Sequence, residues 1–233
     1  MKSLLRLIFV CLSVSCCLFD PLESKGVSDP EQEIQEENKV HFLWAFGALV
    51  DRGNGQKLLP ITRDTTLQTG DQLKIFVELK RKCFVYLLYY NSKGNFHMLF
   101  PFDTEGFTSD QRISEEYLIP PGKFTFKLDD NLGIETFHLL ASGNRLNELE
   151  ALVVEHESDV SANKPELAKR ILSQIRKTKR ENKKLTAVAE RPASIGGRVR
   201  GTENGSNPLD ITTIAVEISA GDFYSRTFTI EHQ

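Results

Sequence analysis

Polar and apolar residues alternate with different periods along this chain, and each period predicts an element. In "QLKIFVELK" (residues 72–80), Leu73, Ile75, Val77 and Leu79 share one face. Gln72, Lys74 and Glu78 share the other, with Phe76 as the exception, so the segment reads as a half-buried strand. "KFTFKL" (123–128) alternates phenylalanine and leucine with lysine and threonine in the same way. "HFLWAFGALV", "CFVYLLYY" and "IETFHLLAS" are apolar on both faces, as central strands covered on two sides are. "DRGNGQ" and "NSKG" supply turns, and "NFHMLFP" returns from the second of them. "TIAVEIS" and "YSRTFTIEH" form a last pair joined by "AGDF".

Two stretches switch to helical spacing. "NRLNELEALVVEHE" places Leu146, Leu149 and Leu152 on one side, with Asn144 as the expected N-cap of a helix near 145–157. "NKPELAKRILSQIRKTKRENKK" aligns Leu167, Ile171, Leu172 and Ile175 in a helix near 165–184, with Pro165 and Glu166 at its start. Its Lys and Arg residues crowd the end, where the helix dipole favours them. The first helix is acidic through Glu148, Glu150, Glu155 and Glu157, so the two are expected to pair. Residues 186–210 show no period and read as a long loop. The fold class that follows is mainly β: an antiparallel β-sandwich, with one or two helices inserted before the last strands, spanning 40–233.

The N-terminus belongs to a different regime. "MKSLLRLIFVCLSVSCC" opens with Lys2 and Arg6, continues with a short apolar run and ends in small residues, the layout of a secretion signal over residues 1–16. The run is far shorter than the ~20 residues of a membrane-spanning helix. The end of the segment resembles a lipoprotein signal, in which an aliphatic residue and two small residues precede a lipid-bearing cysteine. "VSCC" fits Cys17 except that Cys16 fills the last small position. "SVSC" fits Cys16 except that Ser13 stands at the aliphatic position. Ordinary cleavage after Ser15 is the rival reading. Residues 17–39 follow as an acidic tether; Asp20 to Lys39 carries seven acidic and two basic side chains and too little apolar surface to order itself.

Charge and cysteine content narrow the chemistry. A net charge of −3 gives no whole-protein attraction to nucleic acid, so no nucleic-acid partner is expected. Three of the four cysteines lie in or beside the signal, which leaves Cys83 without a framework of disulfides. Cys83 and His97 flank the "NSKG" hairpin, and Lys80, Arg81 and Lys82 just before Cys83 keep a nucleophile in view. A free cysteine opening a buried strand more often behaves as a small hydrophobe, so no catalytic residue is assigned. His41, His97, His138, His156 and His232 form no pair at metal-ligand spacing, and "LDDNLG" lacks the calcium-loop pattern. No metal or cofactor is expected. The outward aromatics of the hairpin, Tyr86, Tyr90, Phe96 and Phe100, are the candidate binding face. Tyr89 must point the other way from Tyr90.

Seven separated motifs occur in order: Gly70–Asp71, Tyr86–Leu88, Gly94, Leu99–Pro101, Ile119–Pro121, Gly133–Glu135 and Ala141–Ser142. In this the chain resembles the bacterial domain-of-unknown-function 4384 family over residues 67–153. The resemblance implies a β-sandwich module of exported or envelope proteins. It brings no catalytic residues. The expected function is that of a non-enzymatic cell-envelope module, membrane-attached through its N-terminal lipid, that binds another envelope protein or a surface polymer. The alternatives are a hydrolase using Cys83 or a carboxylate in a cleft, and a structural lipoprotein whose basic run from Arg176 to Lys184 touches membrane.

Overall fold

The computed structural model describes residues 39–53, 55–107, 111–161, 163–183, 188–192 and 210–233. The signal, Cys16, Cys17, the tether up to residue 38 and most of the 186–210 segment lie outside the described residues.

Two sheets stack face to face. The first is built on β1 (Val40–Asp51) and β4 (Gln72–Leu79), antiparallel neighbours from Phe42 against Leu79 to Leu49 against Gln72. The far edge of β1 is shared end to end by β11 (Val216–Ala220) and β2 (Gln56–Pro60). The far edge of β4 is shared by β7 (Glu116–Ile119) and β8 (Phe126–Lys127). β10 (Val188–Pro192) pairs with β11 and closes this sheet, so the segment expected to be a loop contains a strand. The second sheet runs β3 (Asp64–Leu67), β12 (Phe223–His232), β9 (Gly133–Ser142), β5 (Phe84–Tyr90) and β6 (Phe96–Phe100). All of its pairs are antiparallel except β3 with β12.

The strand alternation read from the sequence decides what enters the space between the sheets. Phe42, Trp44, Phe46 and Ala48 of β1 meet Ile75, Val77 and Leu79 of β4 there. Val85 and Leu87 of β5 and Phe137 and Leu139 of β9 face them from the other sheet. Trp44 stacks on Phe228 at 5.9 Å, and Phe46 meets Phe137 edge-on at 4.9 Å.

The outer face of β4 departs from the half-buried expectation, because Lys74, Phe76 and Glu78 are buried as well. A 3-10 turn at Ile211–Ile214 lies over this face, and Phe76 packs with Ile211 and Ala215. Gly47 makes room for the turn: a Cβ there would stand 2.7 Å from Leu58 Cδ1 and 2.8 Å from Ile211 Cδ1. Phe76 is therefore not an exception to the alternation but the core of a second layer.

The outer face of the second sheet carries α1 (Asn147–Ser158) and α2 (Lys164–Glu181). Leu149 and Val153 of α1 and Ala168, Ile171 and Ile175 of α2 close over Leu88, Leu140 and Phe223. Asn144 is not the N-cap of α1. Leu146 holds that position without a side-chain cap, and its N–H donates to the Tyr86 hydroxyl at 3.2 Å. As the charge pattern predicts, the helices pair: Arg170 meets Glu155 and Lys177 meets Glu148, each at 2.9 Å.

Candidate functional site

The four aromatics expected on an outward face are all inside: Tyr86 is 1%, Tyr90 8%, Phe96 3% and Phe100 2% exposed. Strand alternation does send Tyr86 and Tyr90 away from the inter-sheet core, but the helices cover them. The Tyr86 hydroxyl donates to Glu150 at 2.5 Å, and Arg145 holds the same carboxylate at 3.0 Å. The Tyr90 hydroxyl donates to the Ala168 carbonyl at 2.7 Å. Each tyrosine thus ties one helix to the sheet, which is why a hydroxyl is useful at these two buried positions. Phe96 packs against Tyr90 and, edge-on at 4.9 Å, against His156 of α1. Phe100 turns into the inter-sheet core beside Tyr117. No open aromatic surface forms from these residues.

Cys83 is also sealed, and burial pushes its thiol up to about 11. Its suggested partner is elsewhere, since His97 pairs with Tyr89 at the opposite end of β5 and stacks on that ring at 5.9 Å. The hairpin register alone separates the two residues.

The motif residues have structural work. Gly70 and Gly94 hold positive φ angles of 95° and 79° in turns. Asp71 takes both guanidinium nitrogens of Arg52, at 2.7 and 2.6 Å, and the Gln68 N–H. Burial pushes this carboxyl up, but those hydrogen bonds hold it below its ordinary value. Glu135 accepts the Tyr89 hydroxyl at 2.5 Å and the Ser92 N–H. Lys74 donates to the carbonyls of Pro120, Gly122 and Phe124, at 2.6, 2.8 and 2.6 Å. It thereby fixes the loop that follows "IPP". Among the described residues no group of three or more His, Cys, Asp or Glu has metal-binding placement.

Charged and polar side chains line an open groove of about 780 Å³ beside β12, where the two sheets and the end of α2 meet. Its cations are Arg63, Lys179, Lys183 and Arg226, and its anions Asp64 and Glu190. Glu190 of β10 is already engaged, by Arg226 at 2.9 Å and by the Tyr224 hydroxyl at 3.0 Å. On the other wall Lys179 donates to Thr227 Oγ1 at 2.8 Å, and that hydroxyl lies 3.1 Å from His138 Nδ1. Burial and the nearby Lys179 and Arg176 push the imidazole of His138 down to about 4, so it is neutral and shares one hydrogen bond with the hydroxyl. Its Nε2 is buried without a hydrogen-bond partner among the described residues. Lys179 itself is lowered, by burial first and then by the like charge of Arg63.

The floor of the groove is backbone. β9 pairs with β12 from Phe223 to His232, but β3 covers the opposite edge only from Thr229 to His232. The Thr229 N–H donates outward to the Arg63 carbonyl at 2.6 Å. Alternate residues of a strand direct their N–H and C=O groups the same way, so Ser225 and Thr227 direct theirs into the groove. No strand among the described residues pairs with that edge of the stretch. Sequence reading missed this site because it joins residues of β12 to single ones from β3, α2 and β10. Two signals were available: the run of threonine and serine at alternate positions in "YSRTFTIEH", and the basic run from Arg176 to Lys184, which holds Lys179 and Lys183.

The fold and these contacts define a β-sandwich module whose recurring motifs serve its framework. The family model described as Domain of unknown function (DUF4384) matches residues 66–145, the stretch that carries the seven motifs. No curated protein matches the chain.

Proposed function

We propose that the chain is an exported, lipid-anchored module of the cell envelope that works by binding and not by catalysis. Its partner is another envelope protein or a surface polymer. One observation carries the reading: an open groove combines cations with backbone that no strand among the described residues pairs, while the candidate nucleophile Cys83 is buried with a raised pKa. Cations and free backbone groups recognise ligands; they do not by themselves supply a poised nucleophile and base. The N-terminal pattern ending in Cys16 and Cys17 supports the address, because a lipid group of more than one acyl chain on either would hold a module whose described helices are too short or too polar to cross a membrane.

Affinity purification of the tagged chain from its native envelope tests the binding reading. Enrichment of one envelope protein or polymer in stoichiometric amount is the expected result, and an eluate holding the chain alone counts against it. Palmitate labelling tests the anchor: label should be lost in the Cys16→Ser/Cys17→Ser double variant and in one of the single variants. An unlabelled wild-type chain rejects it.

A further inference from the structure

We propose that the free edge of β12 takes an extended acidic segment of a partner protein as an added strand, lying beside Ser225 and Thr227 with acidic side chains at alternate positions facing Arg63 and Lys179. The proposal rests on the binding reading above and specifies its partner chemistry.

Three observations converge on this occupant. The edge from Phe223 to Phe228 lacks a neighbour among the described residues, although the same strand is paired just beyond it at Thr229. Ser225 and Thr227 there present both N–H and C=O to the groove. A peptide backbone answers such a row with donors and acceptors in the same alternation. A phosphate or sulfate polymer has acceptors only and would leave the carbonyls unmatched. The second observation is charge. Lys179 is half-buried and hydrogen-bonded to a neutral hydroxyl, and burial first and then the like charge of Arg63 disfavour its charged form. A carboxylate placed between these cations relieves their repulsion and restores a partner lost with solvent. The third is the asymmetry of the walls. Glu190 on the opposite wall is already tied to Arg226 and Tyr224, so only the Lys179 wall calls for acid. A strand alternates its side chains between the two walls, which makes acid at every second position the matching pattern. The groove volume suits a short segment and not a whole protein face.

The test titrates the full chain with two blocked peptides, one alternating Thr and Glu and one alternating Thr and Lys, and follows amide exchange at Ser225 and Thr227. The acidic peptide is expected to bind at least about tenfold tighter than the basic one and to slow exchange at both amides. The Arg63→Glu/Lys179→Glu double variant should reverse the preference, whereas Lys57→Glu, on an exposed strand away from the groove, should leave it unchanged. Acidic-peptide binding without protection at the two amides overturns the proposal, as does equal weakening by Lys57→Glu. So does a chain that ignores both peptides while short-chain polyphosphate binds at Lys179. If the double variant self-associates and neither peptide binds the wild type, the cations guard the edge and the proposal falls. Envelope capture separates the two readings: a partner retained undiminished by the double variant rejects the strand-addition site and leaves the binding module standing.

Discussion

His138 shows how much one buried side chain can reveal. Its imidazole lies under α2 against the Tyr90 ring, with Lys179 and Arg176 as its charged neighbours, and these surroundings lower it from 6.5 to about 4. The unfolded chain therefore binds a proton between those values that the folded chain refuses. Stability from this residue is complete above about pH 6.5, falls as pH drops, and levels off near pH 4. The slope approaches roughly 1.4 kcal/mol per pH unit within that window. Urea midpoints measured at neutral and mildly acidic pH should diverge in the wild type, and the divergence should shrink in His138→Leu. An unchanged divergence would locate the acid sensitivity in another group. Cys83 makes a kinetic prediction. With its thiol buried and raised, a disulfide reagent should label Cys83 of the native protein, read at that residue by peptide mapping, only as fast as the chain opens, and denaturant should release its full reactivity at once. Rapid labelling of Cys83 itself in the folded protein would restore it as a nucleophile.

At the scale of elements, two kinds of contact hold the helices, and they differ in weight. The charge pairs Glu148–Lys177 and Glu155–Arg170 are what the sequence makes visible, but they sit at the solvent surface. Exposed pairs contribute little after side-chain entropy and salt screening. The apolar seam of Ile171 and Ile175 is buried completely. Ile171→Ala should cost about 2–5 kcal/mol, from lost burial and from the cavity left behind, whereas Lys177→Ala should leave the denaturation midpoint where it is. The reverse order would mean that the helices are docked electrostatically. The tyrosines belong to the same seam. They looked like a binding face because strand period places them outward, and strand period carries no information about what lies on top.

At the scale of the whole molecule, the family match and the physical unit differ in extent. Residues 66–145 contain β4 to β9. They lack β1, which is the long neighbour of β4, and β12, which pairs with β9 over ten residues. A fragment limited to that stretch exposes one edge and most of the apolar inner face of each sheet. It is expected to aggregate or to stay unfolded, while a chain spanning 39–233 shows one cooperative melt. Dispersed amide resonances from the 66–145 fragment alone would show that the flanking strands are additions to a self-sufficient core.

The sequence by itself determined the elements. The period-two runs at 72–80 and 123–128, the two-sided strands, the two helices and their opposite charges are local patterns, and each followed from side-chain spacing without any distant partner. Only the tertiary structure decided which faces meet solvent. The cover over Phe76 comes from Ile211, the cover over Tyr86 from α1, and the groove from four elements far apart along the chain. Burial, the pKa of His138 and the β12 edge that no described strand pairs all depend on such long-range neighbours. Spacing along the chain fixes where a side chain points, while the fold alone fixes what it meets there.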